Sequence, residues 1–128
     1  MTTVDRTTFD TLAKNFADAN NTWTDEMQQA RAHAVAAADC EYEMKLREAK
    51  VLLNGIEGKN AEERAATLRI LLSDDTDYLR YESQHDEHKA LAQGHMDDAE
   101  TARNAMSLAR RLMDFEIALL RAAEWTGE

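Results

Sequence analysis

The sequence predicts an all-α protein: an antiparallel helical hairpin or elongated helical bundle with one long C-terminal helix. Three observations carry this. Proline is absent from all 128 residues and 31% of them are charged, the profile of long helices. Apolar residues reach 44% with only 6% aromatics; much of that share is alanine, the best helix former and small enough for close helix–helix contact. Finally, a heptad-spaced series, Tyr78, His85, Ala92, Ala99, Met106, Met113 and Leu120, runs beside a second, Tyr81, His88, His95, Ala102 and Ala109. Residues three and four apart share a helix face, so the two series form one seam of coiled-coil type.

A chain of this length fits a single domain, residues 1–128. Taken in order, the first expected element is a short helix over about residues 7–20, with Phe9, Leu12, Ala13 and Phe16 on one face. Asn20-Asn21-Thr22 interrupts the pattern, and Thr24 reads as the N-cap of a second helix, followed by Asp25 and Glu26. That helix extends to Leu53 with an apolar stripe of Val35, Ala38, Tyr42, Leu46, Ala49 and Leu53. Glu41–Lys45 and Glu43–Arg47 are spaced to pair along it. Asn54-Gly55 stops it. Asn60 with Glu63 three residues on resembles a capping box and restarts a helix carrying Ala65, Leu68, Leu71 and Leu72.

Ser73-Asp74-Asp75 is either a second cap or a kink, so residues 60–125 form one helix or two. The last helix continues to about Trp125, roughly 75 Å at the α-helical rise. Gly94 lies inside it at a cost of about 1 kcal/mol relative to alanine, next to His95, where a close backbone approach is the expected reason. Short connectors place the second and last helices antiparallel, completing a hairpin over about residues 24–125. The last helix is then much the longer, and its apolar end, Met106 to Trp125, overhangs. Self-association through Met106, Leu112, Met113, Ile117 and Leu120, or docking of the first helix, covers that surface.

The net charge of −10 is unevenly spread. Residues 74–100 hold nine acids against two bases, a net −7. Such a surface repels phosphate backbones, which excludes direct nucleic-acid binding through a basic face. The acidic run is a solvated face, a partner for Lys45, Arg47 and Lys50, or a mimic of DNA. No apolar stretch approaches the roughly 20 residues of a membrane span, and the start of the chain lacks the apolar run of a signal peptide. With one cysteine, Cys40, no internal disulfide forms, and a cytoplasmic location is expected.

The sharpest chemical feature is the histidine cluster. Glu82-Ser83-Gln84-His85 has the Glu-x-x-His spacing of carboxylate-bridged metal bundles, and His88 projects one turn further on. Glu82, His85 and His88, or these histidines with His33, form a candidate Zn²⁺ site. The plainer reading is a set of interfacial histidines bonded to nearby acids, and a second Glu-x-x-His is missing from the chain. Three histidines in so acidic a stretch also make helix packing there an expected function of pH between about 5 and 7. Trp23, Tyr78, Tyr81, Phe115 and Trp125 are too scattered for a base-stacking platform and read as core or interface anchors. Cys40 lies between Asp39 and Glu41, a poor setting for a nucleophile. No serine relay or phosphate-binding loop is present, so no catalysis and no cofactor are expected.

The stretch Gly58 to Ala65, with Leu68, Asp75 and Tyr78, followed by a long Ala/Arg/Glu helix ending Leu119-Leu120-Arg121-Ala122, resembles a recurrent type of small bacteriophage protein. These are helical or coiled-coil products of no assigned activity, often encoded near phage recombination and early genes. The resemblance covers roughly residues 40–125 and carries over no functional residue. It implies a phage origin and action inside a bacterial host cell. The function expected is a non-catalytic helical interaction protein that oligomerises and binds a phage recombination or replication factor, or inhibits a host protein. The alternatives are a metal-binding helical bundle and an acidic DNA-mimic inhibitor.

Overall fold

The computed structural model describes residues 6–125 of the chain. It contains three helices among those residues: α1 (Arg6–Leu53), α2 (Ala61–Ser73) and α3 (Thr76–Trp125). The all-α hairpin expected from the sequence is what forms. Contacts divide the chain into two units. The first unit joins Met1–Gln29 to Gly94–Glu128; the second is Ala30–Gln93 and includes α2. Within each unit α1 and α3 face one another antiparallel, as Glu26–His95 shows in the first and His33–His88 and Arg47–Asp77 in the second.

The α3 seam forms as the heptads predict up to Met113, while Leu120, the last of the series, is 46% exposed. Ala99, Ala102 and Ala109 are buried in the first unit, and Tyr78, Tyr81, His85, His88 and Ala92 are half-buried in the second. The α1 side departs from expectation at two places. No break occurs at Asn20-Asn21-Thr22, and α1 is one helix of 48 residues. Thr24 is not a cap: its hydroxyl donates to the Asn20 carbonyl at 2.9 Å, and that of Thr22 to Asp18 at 3.1 Å. Both are satisfied inside a continuing helix. What carries the helix through these weak formers is its own pair of heptad series. Phe9, Phe16, Trp23, Ala30, Ala37, Met44 and Val51 form one, and Leu12, Ala19, Glu26, His33, Cys40 and Arg47 the other, all buried or half-buried. Packing of a whole face outweighs the propensity of three residues.

The second departure is the stripe. Val35, Tyr42 and Leu53 are 56%, 62% and 86% exposed, and Ala38 and Ala49 also face solvent. The seam uses smaller or polar residues instead, Ala30, His33, Ala37 and Cys40. Over this alanine-rich stretch the largest apolar residues lie on the solvent side, because the opposing aromatic and histidine side chains of α3 leave room only for small ones in the seam.

An unbroken α1 also removes the overhang. At 48 residues it nearly matches the 50 of α3. In the first unit Phe9 shares a cleft with Ile117 and Leu120, so the N-terminal stretch of α1 lies beside the apolar end of α3. The side chain of Trp125 lies outside the described part of the structure.

The connectors follow local chemistry. Gly55 takes a left-handed φ of 84° and its N–H bonds the Leu52 carbonyl at 3.1 Å, which ends α1. Asn60 caps α2 by accepting from the Glu63 N–H at 2.9 Å. The Glu63 carboxylate reaches back to the Lys59 N–H at 2.8 Å, completing the box one residue earlier than usual. Asp74 is the C-cap of α2, and the Asp75 side chain accepts from the Tyr78 N–H at 3.1 Å. Residues 60–125 are therefore two helices, separated at Asp74-Asp75. The expected reason for Gly94 does not hold: a Cβ there meets nothing within 4 Å.

Candidate functional site

Polar residues occupy seam positions that heptads normally reserve for apolar ones, and those residues carry the chemistry. In the first unit Glu26 and His95 meet across the helix pair, both half-buried, with Nδ1 of His95 2.6 Å from Oε2 of Glu26. A carboxylate only accepts, so the ring donates through Nδ1. Asp98, one turn beyond His95 and exposed, brings a third donor atom within 4.8 Å of the other two. Among the described residues this is the one group of three such side chains.

In the second unit the rings of His33 and His88 lie with Nδ1 atoms 3.0 Å apart and centroids 5.2 Å apart. One ring donates there through Nδ1 and the other accepts. Nearer the connector, Arg47 bonds Asp77 and lies 4.0 Å from Asp75. Part of the acidic run is thus spent on the basic end of α1, as one of the sequence readings anticipated. Lys45 pairs with Glu41 along its own helix at 3.4 Å. Tyr78 is held protonated above the ordinary phenol value, first by burial and then by the Glu48 and Glu82 carboxylates, with a hydrogen bond to Glu48.

The sequence-predicted metal set is not brought together as a trio. Glu82 is exposed, His85 bonds its neighbour Asp86 at 3.1 Å, and His88 is engaged with His33. His33 was a suggested alternative partner, and it does reach His88. The set that does converge contains Glu26, read from the sequence only as a helix-start charge, and Asp98, read only as part of the acidic run. The heptad register of α1 was the signal: Glu26 stands seven residues before His33, and Cys40 and Arg47 follow at the same interval. Cys40 is buried on that line.

No family model, curated protein or solved structure matches this chain. None of the helices among the described residues is long and apolar enough to cross a membrane.

Proposed function

We propose that this chain is a non-catalytic helical interaction protein that associates with itself and binds a further protein. The observation that supports this reading is a second apolar line on α3. Leu108, Leu112 and Phe115 are 59%, 42% and 59% exposed. Ala105 and Leu119 extend the same spacing of four and three. It lies beside the line of Ala102, Met106, Ala109 and Met113 that turns inward, so one helix carries two apolar lines on adjacent faces. A helix with two such lines is suited to a partner on each.

The residues expected to carry self-association divide accordingly. Met106 and Met113 lie on the inward seam, and Ile117 and Leu120 line the cleft they share with Phe9 of α1, whereas Leu112 lies on the second line. Leu112 is the proposed contact, with Leu108 and Phe115 added. The resemblance to small phage proteins is the ground for proposing a phage recombination or replication factor, or an inhibited host protein, as the further partner.

Light scattering on the full chain over a range of concentrations is the test. An assembly that falls to monomers on Leu112→Glu with Phe115→Glu, at unchanged helix content, supports the reading. A wild-type chain that stays monomeric at every concentration refutes its self-association.

A further inference from the structure

We propose that Glu26, His95 and Asp98 form a binding site for a divalent transition-metal ion of the Zn²⁺ class. This inference is independent of the self-association proposed above and concerns a different face of the first unit.

Donor chemistry comes first. One imidazole nitrogen and two carboxylates match the nitrogen and oxygen ligands of Zn²⁺, and the two carboxylates balance the charge of the ion. Calcium and magnesium prefer all-oxygen shells, so the histidine selects against them. His95 and Asp98 are three residues apart on α3 and therefore project from adjacent turns of one face. Glu26 enters from α1. The site is anchored on two helices rather than on a loop, and Glu26 and His95 occupy seam positions whose neighbours Trp23 and Ala99 are half-buried and buried.

Geometry comes second. The three donor atoms already lie within 4.8 Å of one another. Around a tetrahedral ion with bonds of about 2.0–2.1 Å, ligand atoms stand about 3.3 Å apart. Glu26 and His95, now 2.6 Å apart, have to separate by less than an ångström. For Nδ1 to ligate it must be free of its proton, so the ring takes the tautomer that carries the proton on Nε2. Exposed Asp98 opens the remaining coordination position to water, as in sites with three protein ligands and one exchangeable one. A seam glutamate bonded to a seam histidine thus stores the site in a hydrogen-bonded form.

Isothermal titration of the full chain with ZnCl₂, with Co²⁺ absorption as a spectroscopic check, tests the assignment. One ion per chain and visible Co²⁺ bands of low symmetry are expected. Asp98→Asn, at an exposed position that leaves the fold intact, lowers affinity at least about tenfold, the loss typical of disturbing a metal shell. His95→Gln, which keeps a hydrogen-bond donor for Glu26, does the same. His85→Gln and His88→Gln leave affinity unchanged. Absence of binding at millimolar Zn²⁺ overturns the proposal. So does wild-type affinity in both Asp98→Asn and His95→Gln, or a loss that follows His85 or His88 instead.

Discussion

The two units solve the same packing problem with the roles of the helices exchanged. In the first unit α1 supplies the aromatics, Phe9, Phe16 and Trp23, and α3 supplies the alanines Ala99, Ala102, Ala109 and Ala123 with Met106 and Met113 among them. In the second unit α1 is the thinner partner, with Ala30, Ala37 and Cys40 beside His33, Met44 and Val51, and α3 supplies the aromatics Tyr78 and Tyr81 with His85 and His88. Large against small lets two helices interdigitate without voids. The exchange teaches that burial in this chain is a property of facing pairs and cannot be read from either helix alone. A second difference accompanies the first. The first unit has one polar contact across its seam, Glu26–His95, while the second has two, a histidine pair and an arginine–aspartate contact, whose directional bonds specify alignment as well as attraction.

The harshest way to break this comparison is a charge on the thin side of the first unit. Ala109 is 4% exposed, and Ala109→Asp is expected to cost about 3 kcal/mol, because an unpaired carboxylate is left without water. Urea unfolding reads it, and a loss under about 1 kcal/mol would mean that the seam is open to solvent there. Bulk on the thin side of the second unit comes next. Ala37→Leu should destabilise by about 1–3 kcal/mol through overpacking, while the neighbouring Ala38→Leu changes almost nothing. Equal effects at the two positions would show that the seam of α1 has been placed on the wrong face.

Smaller changes sharpen the polar side of the contrast. Arg47→Met removes the contact with Asp77 and Asp75 at a half-buried position and should cost about 1 kcal/mol, less in high salt. A cost that does not change with salt would assign the role to packing of the arginine stem. In the opposite direction, Gly94→Ala should raise stability by up to about 1 kcal/mol, since open space surrounds the added methyl. A fall in melting temperature would instead assign Gly94 a need for backbone freedom. The smallest effect is alkaline. The folded pKa of Tyr78 lies above its unfolded value of 10.0, so its contribution is complete below that pH and is lost as pH rises through the folded value. Tyr78→Phe should flatten the decline in stability above about pH 10, and an unaltered alkaline slope would refute the assignment.

Much of the fold was legible because α3 wears its seam openly. Aromatic and histidine residues at the start and methionines toward the end stand out from a polar background at intervals of seven. The seam of α1 was hidden for a physical reason. Alanine occurs on several of its sides, and the exposed Val35, Tyr42 and Leu53 outweigh the buried Ala30, Ala37 and Cys40 on any hydrophobicity count. Asn20, Asn21 and Thr22 misled in a different way, since capping residues tolerate a helix interior when a packed face runs through them. The candidate site was half legible. Histidines drew attention, but which of them meet a carboxylate is decided by the opposing helix. Glu26 meets His95 because the registers of α1 and α3 bring the two seam positions opposite one another.

The contacts that bridge α1 and α3 also order events in time. Arg47 and Asp77 are 30 residues apart in sequence, His33 and His88 are 55, and Glu26 and His95 are 69. Closing the short loop costs the least entropy, and each layer that forms shortens the free chain the next must span. Folding is therefore expected to proceed as a zipper that starts near the Gly55 connector and finishes with the residues farthest from it. On that order the aromatic residues of α3, Tyr78 and Tyr81, should pack before those of α1, Phe9 and Phe16. φ values that decline from Arg47 through Ala37 to Ala109 are the kinetic signature of that order.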